Sequence, residues 1–309
     1  MSRDAWGRWG EADEVGALNL VGTSEVLGAT GLVRQGRVVS LAQPLSKKTP
    51  VPSNRTGLLH FMDRDGGDYA AGARISNGFQ FADDSVVMPL HIGTHIDALC
   101  HVWTEDQLYN GHPGSGTNST HGAKKCGVEK LPPIVTRGLL LDVAALHEAP
   151  LPFGYAIGVD EMKEAASRAG VTPAIGDAVL IRTGWQENQA GKPAQTVDFN
   201  EEPGIDVEAA LWLAEAGVSL VGADNYAIEA MPFPAGTTFP VHQRLIRDFG
   251  IPLLEGLVLQ DFAALGVPEF LFVAAPLPIV GGTGSPWAPR PNGPEVAPRR
   301  PSQTTTRPV

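Results

Sequence analysis

The chain has 309 residues, 43% apolar and 18% charged; this globular composition argues against a largely disordered chain. With 23 Lys and Arg against 34 Asp and Glu, the net charge is −11, which argues against binding nucleic acid or an anionic membrane through the overall field. No run of 18 uncharged apolar residues spans a bilayer, the opening MSRDAWGRWGEADEVG lacks the apolar core of a leader, and Cys100 and Cys126 are too few for a disulfide framework; a cytoplasmic protein is expected.

Gly (36) and Pro (26) make up about a fifth of the chain, against roughly 12% on average, so short strands and long loops are expected in place of a helical bundle. Residues 1–36 read as an N-terminal extension, with Trp6 and Trp9 among charges and a short helix over 24–31. Residues 37–45 (RVVSLAQPL) read as a strand, 46–76 as a long loop, and 86–92 (VVMPLHI) as a second strand. A glycine-rich loop follows over 104–127, then an apolar strand over 138–143. Asp160 is placed to cap a helix that Gly170 stops, and Asp206 one that Gly217 stops. Strands at 178–183 and 218–223 flank the second helix, which predicts a crossover joining parallel strands. A helix over 241–249 and strands at 251–259 and 270–274 complete the set. Seven of the last 24 residues are Pro, and 287–309 reads as a disordered or draped tail. The fold class is α/β, a mixed sheet with long pocket-forming loops, in one domain over 37–286.

Three of the eight histidines fall within eleven residues, His91-Ile-Gly-Thr-His95-Ile-Asp97-Ala-Leu-Cys-His101. Imidazole and carboxylate together suit Zn, Mn or Fe. A helix would place Asp97 about 200° around from His95. A straight strand would put His91 about 13 Å from His95. A strand that ends near His91, bends at Gly93 and resumes through His95 and Asp97 brings all three together, because glycine tolerates the bend. Three ligands with open positions describe a catalytic metal, not a closed structural one. His101 would hang over the ion. His60, His112, His121 and His147 lack such a pattern, and Cys100 reads as a buried inert thiol. No G-x-S-x-G elbow, phosphate loop or C-x-x-C is present.

H-x-G-T-H-x-D-A-x-x-H resembles the signature of the bacterial kynurenine formamidase and isatin hydrolase group of cyclase-like proteins. The resemblance extends through Leu180–Trp185, Gly222–Asn225 with Glu229, His242 with Glu255, and Ala275–Pro286, roughly residues 37–286. It implies a swivelling β/β/α fold and a dimer or higher oligomer, with homodimer or homotetramer expected. It further implies metal binding by His91, His95 and Asp97, and an acid/base role for His101. His242 and Glu255 would complete the site, as a second metal position sharing Asp97 or as proton-handling groups. Leu99 stands where many members carry Pro, and the chain is about 100 residues longer than a minimal formamidase.

The expected activity is metal-dependent hydrolysis of a C–N bond in a small aromatic or cyclic amide, with Zn or Mn as the cofactor. His101 would move the proton, since an unperturbed imidazole near pKa 6.5 serves in both directions. Phe79, Phe81 and Trp103 flank the cluster in sequence and are candidate substrate contacts, and Arg55 and Arg74 are candidates to meet a carboxylate. A cyclase or dehydratase, a lactone hydrolase and a non-catalytic small-molecule-binding protein are the competing readings.

Overall fold

The computed structural model describes residues 4–74, 76–287 and 292–293. Its centre is a nine-stranded mixed sheet. Four neighbouring strands run parallel: Ile134–Asp142, Ala178–Arg182, Leu220–Ala223 and Leu253–Glu255. Both expected helices make right-sized crossovers between them. Val159–Ala169 joins the first two strands, and Val207–Ala216 joins the second and third. Antiparallel strands close both sides. Glu269–Ala274 pairs with Ile134–Asp142 on one side. On the other, Leu253–Glu255 pairs with His95–Asp97, which pairs in turn with Gly284–Pro286. The parallel strands are apolar throughout, as strands covered on both faces must be, with Leu139, Leu141, Val179, Leu180, Leu220, Val221, Leu253 and Leu254 fully buried.

Local chemistry explains where the elements stop. Asp206 caps its helix by accepting the Ala209 N–H at 2.8 Å, and Gly217 ends it in the left-handed region at φ +80°. The earlier helix starts at Gly158, not on an Asp160 cap; the Glu161 side chain reaches back to the Gly158 N–H, and Gly170 ends it as expected. The strand expected over 251–259 forms a ladder only at Leu253–Glu255, because Gly256 turns at φ +65° and donates its N–H to Asn225 O. That turn leaves Glu255 at the carboxyl end of its strand, where ligands of parallel sheets gather. The 241–249 helix is Pro240–His242 followed by a π-helical stretch, Gln243–Asp248.

Two expectations change. Only Arg37 and Val38 of the 37–45 segment join the sheet. Its remainder bonds group by group, Leu41 O accepting from Val258 and the Gln43 N–H donating to Thr94 Oγ1. The strand expected over 86–92 is Asp83–Val87, and it pairs with Leu59–Arg64, which lies inside the expected loop. These two strands form a ribbon apart from the main sheet, with almost every residue exposed. Residues 4–36 dock on the body: Ala17, Leu18 and Ala29 are buried, and the Trp6 indole N–H donates to Arg247 O at 2.8 Å. Of the Pro-rich tail, only Trp287 and the Asn292–Gly293 strand lie within the described residues.

Candidate metal centre

The histidine cluster folds around the bend that its spacing requires. Gly93 has φ +58°, and a Cβ there would lie 2.5 Å from Leu45 Cδ2. The chain then enters the His95–Asp97 strand, so both side chains share a face. The ladder sets Glu255 directly opposite His95. His95 donates Nδ1–H to Gly93 O at 2.9 Å, leaving Nε2 at 3.1 Å from Glu255 Oε2 and 3.7 Å from Asp97 Oδ1. His91 Nδ1 meets Asp97 Oδ1 at 2.6 Å, and its Nε2 lies 3.0 Å from Thr283 Oγ1. Gly284 passes so near His91 that a Cβ would stand 2.7 Å from the ring. His101 stacks on His91 with ring centres 4.0 Å apart, its Nε2 at 4.0 Å from Asp97 Oδ2. His242, at the start of its helix, gives Nδ1 to Glu229 Oε1 at 2.6 Å. Its Nε2 lies 3.3 Å from Glu255 Oε1 and 3.7 Å from Asp97 Oδ2.

The six residues therefore converge from three separate parts of the chain, 91–101, His242 and Glu255. Donor atoms of His91, Asp97 and His101 lie within 4.8 Å of one another, as do those of His95, Asp97 and Glu255. Asp97 belongs to both groups, and His242 approaches the second. Asp97 Oδ2 and Glu255 Oε1 are buried without a hydrogen-bond partner. Two such oxygens among imidazoles are what a divalent cation satisfies, so the donor set fits a metal.

Electrostatics follow from burial and neighbours. Burial would raise Asp97, but His101, His91 and His95 hold it well below the usual carboxylate range. Burial would lower His242, but Glu229 and Glu255 outweigh it and raise the ring to about 10. His95 is raised for the same reason, Glu255 and Asp97 overcoming its burial. His101 goes the other way: burial, aided by His91 and His242, pushes it down to about 3 despite Asp97. That is well below the unperturbed imidazole expected of His101 from the sequence.

The cluster opens into a cleft of about 1200 Å³, which His101, His242 and Glu255 line. Its aromatic wall is Phe199, Tyr226, Phe233 and Phe239. Tyr226 stands 5.1 Å from the His95 ring and Phe239 5.0 Å from that of His242. Arg55 also lines the cleft, donating to His91 O at 2.8 Å and to the Tyr226 hydroxyl. The candidate substrate contacts Phe79, Phe81 and Trp103 are not in this wall. Phe79 and Phe81 follow the ribbon into solvent, and Trp103 leans on Gly114. Neighbourhood in sequence misled because the chain departs at Met88, and the wall comes from residues more than 95 positions downstream of His101. Glu229 and Thr283 were legible only as members of the segments that carry the resemblance.

The profile of the family described as "Putative cyclase" matches residues 39–230. The crystal structure of a novel cyclase superposes with a TM-score of 0.87 at 33% identity, over 93% of this chain and 99% of that one. The chain belongs to the cyclase family. Isatin hydrolase of Roseibium aggregatum is 28% identical over 284 residues, 88% of this chain and 93% of that protein. Kynurenine formamidase of Salinibacter ruber is 43% identical over 76 residues, 24% of this chain; the match spans 32% of that relative. Isatin hydrolase A of Ralstonia solanacearum shares the fold at a TM-score of 0.62 and 24% identity, over 88% of this chain and 97% of that one. By family and donor set the protein is a metal-dependent hydrolase; His242 and Glu255 lie beyond the matched 39–230 segment.

Proposed function

We propose that the protein hydrolyses a C–N bond of a small aromatic or cyclic amide, such as a formamide, imide or lactam. The observation that carries this reading is His101 stacked on His91 beside the unpartnered Asp97 Oδ2, lining an aromatic cleft. The relatives' names, a formamidase and an isatin hydrolase, support the same bond type.

His91, His95 and Asp97, with His242 and Glu255, would hold the metal, and imidazole with carboxylate accepts Zn or Mn. A divalent ion there supplies a water acidified from pKa 15.7 toward about 7 and a polarised carbonyl. The chain's own residues do the rest. Gly93 O fixes the His95 tautomer and Glu229 that of His242, so both Nε2 atoms face the carboxylates. His101 takes a proton at Nε2 and returns it to the departing nitrogen, which leaves as a neutral amine. Phe199, Phe233 and Phe239 receive the ring of the substrate and exclude water.

The test is turnover of isatin and formanilide by protein loaded with Zn or Mn, followed by mass spectrometry. Products heavier than substrate by the mass of one water, or the matching amine and acid, are expected. Turnover without water addition, or none of either compound, overturns the reading.

A further inference from the structure

One cation in the cleft has no task in this mechanism. Arg55 is half-buried and lines the cleft together with Tyr226. Its Nη1 is held by the protein, donating to His91 O at 2.8 Å and to the Tyr226 hydroxyl at 3.3 Å. Its guanidinium carbon stands 5.7 Å from the centre of the Tyr226 ring. Neither Nε nor Nη2 donates to any described residue, and neither is closed off from solvent. These two atoms form one edge of the guanidinium fork, and such an edge meets a carboxylate with two parallel N–H···O bonds.

The lack of an acid partner is a second observation. The half-buried arginines Arg137, Arg182, Arg244 and Arg247 each pair with an Asp or Glu. Arg55 forms no ion pair with any described residue, in a chain of net charge −11. The acids of the cleft wall are turned to other groups. Glu255 faces His95 and His242, Glu202 accepts the Tyr226 and Ala227 amides, and Asp198 accepts from Asn200. A partly desolvated cation left unpaired in a cleft wall is placed to meet an anion that enters. The carbonyl that Arg55 grips belongs to His91, whose ring bonds Asp97, so the anion would sit beside the metal centre.

We propose that Arg55 is a specificity-determining residue whose Nε and Nη2 pair with a carboxylate carried by the substrate, separate from the amide under attack. This rests on the hydrolase reading. The substrate class it selects is an aromatic amide bearing a carboxylate, over the same amide without one.

The test compares kcat/KM of the Zn- or Mn-loaded protein for formanilide and for 2-, 3- and 4-formamidobenzoate, which carry a carboxylate at the three ring positions. Wild type is expected to prefer one of the three isomers over formanilide by about tenfold or more, chiefly through KM, the order of one charge-assisted hydrogen bond. Arg55→Gln keeps an N–H donor for His91 O and removes the charge. It is expected to bring that isomer within about threefold of formanilide, while formanilide itself is turned over within about threefold of wild type. Arg55→Met, with the same expected loss of preference, replaces it where the Gln variant does not fold. No preference for any isomer in wild type overturns the inference alone. A preference that persists in the Gln or Met variant also overturns it, since the carboxylate would then be held by the metal or by another residue. Wild type that turns over none of the four compounds, nor isatin, overturns the hydrolase reading together with it.

Discussion

Asp97 bonds His91 through Oδ1 and leaves Oδ2 facing His101 and His242 with no hydrogen bond. One carboxylate thus serves imidazoles from two parts of the chain, whereas His101 is kept neutral by burial. The two residues should separate on mutation. His101→Ala is expected to retain bound metal and to lose about 10²–10⁴ in kcat, the usual worth of a positioned acid/base. Metal analysis beside steady-state kinetics checks this, and full activity in that variant would remove His101 from the mechanism. The thiols next to the site have a quieter role. Burial raises Cys100 to about 12 and Cys126 higher still, and neither is exposed. A disulfide reagent at pH 8 should leave both untouched in the native protein and titrate both after unfolding.

At the scale of the element, the bend at Gly93 decides whether His91 and His95 face one another. Gly93→Ala must place a Cβ at φ +58° and 2.5 Å from Leu45 Cδ2, so it should lower the urea midpoint and weaken metal uptake together. Retained metal at wild-type stability would show that the bend is not needed. This bend was legible in the sequence because three potential ligands at offsets of four and two fit neither a helix nor a straight strand. Both crossover helices were legible as well, since Gly170 and Gly217 punctuate them, and the second was legible as a crossover. The ribbon was not. Its strands, Leu59–Arg64 and Asp83–Val87, are eighteen residues apart, so no short turn advertised the pairing. The cleft wall was equally hidden, because Phe199, Phe233 and Phe239 lie in irregular segments far in sequence from the 91–101 histidine cluster.

At the scale of the molecule, the sheet carries the ligands and the loops shape the cleft. His95, Asp97 and Glu255 sit on adjacent strands over a buried core. The ribbon is the exception to this economy. Phe61 and Val87 are 53% and 58% exposed, and two isolated strands are marginal in water. Together with the expectation of a homo-oligomer, this predicts a dimer or tetramer by sedimentation, and smaller species for the Phe61→Ser, Val87→Ser double variant. A wild type that sediments as a monomer would contradict it.

The central claim is that Asp97 joins the histidines and Glu255 into a site for a divalent metal. Metal content after reconstitution with Zn or Mn, measured by elemental analysis for wild type and Asp97→Ala, tests it most directly. One or two equivalents in wild type and none in Asp97→Ala are predicted. Wild-type protein that takes up neither ion, or an Asp97→Ala variant that binds as much as wild type, would contradict the account.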